Sequence, residues 1–180
     1  MQPRFNGYKI ARIVASHLTR LDSRGRMKIG AHSIPCVFGR TGVTTRKREG
    51  DGATPIGAFR VVATLFRPDR MPRRQCAIPT SEIKRTSGWC DDPSSPNYNR
   101  PVKLPSMHRH EKLHRADELY DQLLVLDYNL KPRKVGAGSA IFFHVAHKNF
   151  APTEGCVAIC VSDMRRLLPR LSRRLILIVR

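Results

Sequence analysis

The apolar residues of this chain fall into short runs rich in Ile, Val and Phe, separated by clusters of Gly, Pro, Asp and Asn. Runs of that length and composition, cut by turn formers, are the signature of β-strands and leave little room for core helices. Residues 8–16, 26–38, 57–66, 123–128, 139–145 and 174–179 read as strands. Ile176 to Val179 is continuously apolar, as in a strand buried on both faces. Helices are few. Ser162 is placed to cap one, with Met164, Leu167, Leu168 and Leu171 on one face and Pro169 ending it early. Segment 109–121 is expected to form a second. The longest irregular stretch, CDDPSSPNYNRPVKLP over 90–105, has the character of a lid or binding loop. No internal repeat or low-complexity block interrupts the pattern. The sum is a mostly β domain with peripheral helices.

A length of 180 residues favours one domain, and a hydrophobic content of 41% is too high for a disordered tail. The longest uncharged stretch, Val135 to His147, contains two His and two Gly and falls short of the roughly 18 apolar residues of a membrane span. The opening MQPRFNGYKIARIVASHLTR has no apolar h-region, so no export signal is read from it. Thirty-three Lys and Arg against 14 Asp and Glu give a formal charge of +19. That excess suits an anionic partner: a nucleic acid, an acidic membrane surface or an anionic wall polymer. The plainer alternative is a surface kept basic for solubility. The basic residues are scattered, in RKR at 46–48, RPDRMPRR at 67–74, and RR at 165–166 and 173–174. With no aromatic stacking platform and no C-x-x-C pair, nothing supports sequence-specific reading of nucleic acid.

Five cysteines, at 36, 76, 90, 156 and 160, form no dense framework, and an odd count leaves at least one thiol unpaired in a lone chain. Cys36, Cys160 and Cys76 read as small buried hydrophobes. Cys156 differs, because it follows Gly155 in a polar loop downstream of a strand, AIFFHV, that delivers His144. A strand, a returning loop and a second strand bring two such residues side by side. A nucleophilic Cys needs that base, and it needs backbone N–H groups for an oxyanion, which Thr153-Glu154-Gly155-Cys156 can supply. The plainer alternative is a buried His and an unrelated buried Cys.

Other matches are weaker. His110-Glu111-Lys112-Leu113-His114 fits H-E-x-x-H, which on a helix holds zinc. Its flanks, Arg109, Lys112, Arg115 and Asp117, instead suit a solvated, charged helix start. Ser81-x-x-Lys84 lacks the companion motifs of penicillin-binding enzymes, and Gly136-Ala137-Gly138 lacks the third glycine of a dinucleotide loop. Asp51-Gly52-Ala53-Thr54-Pro55-Ile56-Gly57-Ala58-Phe59 reads as a rigid turn feeding a strand.

Two of these pieces together resemble a known family. The D-G-x-T-P-x-G-x-F turn and the later His144 … Thr153-Glu154-Gly155-Cys156-Val157 are similar to the signatures of the L,D-transpeptidase catalytic domain, the YkuD-like family. The likeness is strongest over residues 28–180. Gly88-Trp89-Cys90-Asp91-Asp92-Pro93, Tyr98-Asn99-Arg100-Pro101 and Leu119-Tyr120-Asp121 resemble its compact proteobacterial branch, where the HExxH-like stretch is an ordinary connection.

The resemblance implies one catalytic domain over 1–180, a β-sandwich or barrel of mixed sheets with a few peripheral helices. It implies Cys156 as nucleophile and His144 as base, with the base oriented by the carbonyl of Val145. The N–H groups of Glu154, Gly155 and Cys156 would form the oxyanion hole. Thr153, Trp89, Tyr98, Arg100 and His147 are the candidates for binding substrate. The implied reaction is acyl transfer between peptidoglycan stem peptides in the periplasm, giving 3–3 or 1–3 cross-links. The same chemistry attaches or releases a wall-bound protein, or hydrolyses. A monomer without metal, cofactor, nucleic acid or membrane span is expected. Glu154 stands where many members have His, and Ala158 where many have Arg or Asn. A basic nucleic-acid-binding module and a zinc peptidase using His110 and His114 are the distant alternatives.

Overall fold

Alternation dominates the long strands. Between Gly57 and Phe66, Phe59 and Val61 are buried while Ala58, Arg60 and Val62 are exposed, the two-residue period of a sheet with one face on a core. The structure, a computed structural model, describes residues 9–19, 21–72 and 76–180. Tyr8 of the expected first strand, and Arg73 and Arg74 of the basic run, lie outside the described residues. In chain order the elements are Ile10–His17 (β1), Arg24–Ile29 (β2), His32–Val37 (β3), Val43–Thr44 (β4), Thr54–Pro55 (β5), Gly57–Phe66 (β6) and Thr80–Glu82 (β7). Ser87–Cys90 (β8), Arg100–Lys103 (β9), His110–Lys112 (β10), Gln122–Leu126 (β11), Phe142–Val145 (β12) and Val157–Ile159 (β13) follow. The helix Val161–Leu167 (α1), a 3-10 turn at Leu168–Arg170 and Leu171–Val179 (β14) complete the fold.

One sheet runs β11-β12-β13-β3-β2-β1-β14-β6-β7, and β11 also pairs with β6. That antiparallel pairing joins the two ends and rolls eight strands into a barrel. Phe59, Leu124, Phe143, Val157, Leu175 and Leu177 are among its filling. A second, three-stranded sheet, β10-β8-β9, is built from the excursion between β7 and β11. A separate apolar cluster, including Ile83, Trp89, Tyr120, Leu123, Phe142 and Cys156, lies apart from the barrel filling.

The mostly β architecture is the expected one, with local differences. The run 26–38 is a hairpin, β2 against β3, turning at 30–31. The expected helix 109–121 is absent: His110–Lys112 pairs with β8, Glu111 opposite Trp89, because an available strand edge outweighs weak local helix preference. Part of the stretch 90–105 is β9. The helix begins with Cys160 in the capping position, so Ser162 lies inside it. Pro169 falls in the 3-10 turn, and Leu171 already belongs to β14. That strand buries only one face: Leu175, Leu177 and Val179 are buried, but Ile176 is 37% exposed.

Leu177→Ala should therefore cost about 2–5 kcal/mol in urea unfolding. Ile176→Ala, one residue away on the outer face, should cost less than about 1 kcal/mol.

Candidate active site

The strand β12 faces two environments. Phe143 and Val145 enter the barrel filling, while Phe142, of the opposite parity, joins the second cluster. His144 shares the face of Phe142, by the strand period. Parallel pairing sets His144 opposite Ala158 and Phe143 opposite Val157, so Cys156 enters β13 level with Phe142. His144 and Cys156 line one cavity of about 560 Å³.

The thiol is held by main chain. The Phe142 N–H donates to its sulfur at 3.3 Å, and the thiol donates to the Ala140 carbonyl at 3.2 Å. Ala140 adopts a left-handed φ of 51°, uncommon for a residue with a Cβ. The His144 Nδ1 lies 2.8 Å from the Val145 carbonyl oxygen. A carbonyl only accepts, so Nδ1 carries the proton and Nε2 is left as the basic nitrogen. Tyr120 packs edge-to-face on the imidazole, centroids 5.3 Å apart, and Arg115 lies 5.1 Å over the Tyr120 ring. Burial drives both groups toward neutrality. It pushes the Cys156 thiol up to about 12 and His144 down to about 4.

The carbonyl of Cys156 accepts two hydroxyls, from Thr153 at 2.7 Å and from the buried Thr54 at 3.1 Å. Thr54 in turn accepts the Gly39 N–H at 2.8 Å. The turn preceding it is fastened by Asp51, which accepts from the N–H groups of Arg48 and Ala53. The D-G-x-T-P run thus reaches Cys156 through one threonine. Gly155 has φ +133°, and a Cβ there would stand 2.8 Å from the Ala53 carbonyl oxygen. Its N–H donates to the Thr153 hydroxyl at 3.1 Å, so that candidate oxyanion donor is engaged inside the loop.

The remaining candidates separate. Thr153, Glu154 and His147 line the cavity, and Glu154 pairs with Arg40 at 2.9 Å on the exposed rim. Trp89 and Tyr98 are buried away from it. Trp89 donates to the Asn99 side chain at 2.9 Å and packs on Phe142, and the Tyr98 hydroxyl binds Glu49. Arg100 is exposed at the start of β9. The excursion reaches the cavity with Asp91, Arg109, Glu111 and Arg115 instead. Glu111 bonds Arg115 at 3.0 Å, and burial raises its carboxyl. No apolar alternation marks it in the sequence, where H-E-x-x-H reads as a charged helix start. Asn99 was also missed: its side-chain oxygen accepts the Ala140 N–H at 3.1 Å and so steadies the residue that holds the thiol.

His110 and His114 are not presented by a helix, and the His110 ring bonds the His108 carbonyl at 2.8 Å. Among the described residues no three His, Cys, Asp or Glu side chains gather as metal ligands do. No helix among them is long and apolar enough to cross a membrane.

Compared with known families, the chain matches the YkuD L,D-transpeptidase catalytic domain over residues 10–179. The chain belongs to this family. Membership begins at Ile10, ahead of the motif likeness, and β1 accordingly forms part of the barrel between β2 and β14. The family is one of cysteine-dependent transpeptidases. No individual curated protein matches the chain.

Thr54→Val removes both hydroxyl bonds while keeping shape. It should lower stability by about 1–3 kcal/mol in thermal or urea unfolding. It should also slow acylation of Cys156 more than Ile176→Ala does, since it removes one of the two hydroxyls that hold the Cys156 carbonyl.

Proposed function

We propose that this protein is a peptidoglycan L,D-transpeptidase in which Cys156 is the nucleophile and His144 the general base. The observation that carries the reading is a thiol and a carbonyl-oriented imidazole lining one cavity in a chain of this family. The sulfur attacks a stem-peptide carbonyl, forming a carbon–sulfur bond as the thiol proton passes to Nε2 of His144. Collapse of the tetrahedral intermediate breaks the carbon–nitrogen bond, and His144 returns the proton to the departing amine. An amine of a second stem then takes the acyl group from the thioester, giving a 3–3 or 1–3 cross-link. Thr153 and His147 stand where the stem would lie. The substrate places the enzyme in the cell envelope. The thiol and imidazole perform the reaction without a cofactor.

Both groups rest neutral, so the thiolate forms as attack occurs rather than waiting as an ion pair. Intact-mass measurement after incubation with a carbapenem tests the assignment. Wild type should gain one carbapenem mass on the Cys156 peptide, and Cys156→Ala should gain none while unfolding at a similar temperature. An adduct on Cys156→Ala overturns the reading.

The pH dependence follows from the burial of His144. Its protonated form is disfavoured, so the base stays available until pH falls to about 4. The acylation rate should be nearly flat from about pH 6 to about pH 9 and drop below that range as His144 gains its proton. A tenfold rise per pH unit through the flat region would indicate a free thiolate instead.

A further inference from the structure

We propose that Lys47 supplies the positive charge that stabilises the anion formed when Cys156 attacks. This rests on the reading of Cys156 as nucleophile. Lys47 belongs to the run Arg46-Lys47-Arg48, which the sequence alone marks only as surface charge. In the structure its side chain is 4% exposed. Its stem crosses Gly138, where a Cβ would stand 2.9 Å from Lys47 Cγ, and its ammonium ends 3.4 Å from the corresponding position on Gly155. Lys47 therefore threads between the two loops that flank the nucleophile. Residues 138–140 of one loop end in the carbonyl that accepts the thiol's hydrogen bond, and residues 153–155 of the other lead into Cys156. Any side chain on either glycine would meet it.

The ammonium donates to Asp51 and, at 3.0 Å, to the Arg48 carbonyl, and it lines the cavity. The other charges lining the cavity have their own ties: Arg109 with Asp91, Arg115 with Glu111, Glu49 with Tyr98, and Glu154 with Arg40. Glu111 raises the thiol's proton affinity, and Lys47 is the charge that lowers it. Attack moves the carbonyl π pair onto oxygen as the carbon–sulfur bond forms. A fixed cation at the edge of the cavity stabilises that oxygen without reorganising.

Wild type, Lys47→Met, Lys47→Gln and Asp51→Asn are compared with two probes: acylation by a carbapenem, followed by intact mass, and alkylation of the Cys156 peptide by iodoacetamide at about pH 8.5, followed by peptide mass. Both Lys47 variants should slow acylation about tenfold to a hundredfold. They should slow alkylation roughly threefold to tenfold. Asp51→Asn leaves the ammonium without its counter-ion and should speed alkylation. Thermal unfolding verifies folding, and Lys47→Gln keeps most of the stem if Lys47→Met does not fold. Folded Lys47 variants with wild-type rates overturn the proposal. A wild type that no carbapenem acylates refutes the assigned function, while the alkylation rates still judge Lys47.

Discussion

The parallel pairing of β12 with β13 decides where Cys156 and His144 stand. It is only three residue pairs long, yet it sets Cys156 level with Phe142 and aims His144 into the same cavity. The pairing is fixed in turn by the barrel. Alternate residues of both strands are committed to the interior, so a slip of one position would turn Phe143 and Val145 outward and His144 into the filling. Closure through β6 and β11 makes that slip prohibitive, since β12 has strands on both sides.

The loop before β13 is specified just as closely from outside the barrel. Thr54 and Thr153 converge on one carbonyl, Asp51 fastens the turn that carries Thr54, and Gly155 fits where no side chain can. Across the cavity, Asn99 steadies Ala140, and Ala140 holds the sulfur. Two segments far apart in sequence thus grip the thiol's neighbours through main-chain atoms. Substitution of the gripping side chains is therefore felt at Cys156.

Much of this was legible in the sequence, for identifiable reasons. The strands at 57–66 and 174–179 announced themselves by composition and turn boundaries, and β6 has the expected limits. The pair His144 and Cys156 stood out because each sits at a strand–loop junction. What stayed hidden depends on tertiary contact. Ile176 looks like its neighbours until the sheet shows which face meets solvent. Glu111 sits in a pattern that reads as a charged helix until the β8 edge claims it as strand. Trp89 and Tyr98 look like lid residues, and the fold spends them as anchors for the excursion. Lys47 is indistinguishable in sequence from the surface arginines beside it. Only two bare glycines from remote loops reveal that it is enclosed.

The grip of the Ala140 carbonyl on the thiol bears on chemical survival. Peroxides and disulfides react with thiolates, and a buried thiol that keeps its proton offers them little. All five cysteines of this chain are free, and Cys36 is likewise buried and held up to about 12. Cys76 and Cys160 are only partly covered. Under oxidising conditions they are the thiols that meet oxidant first, while Cys156 keeps both its cover and its proton.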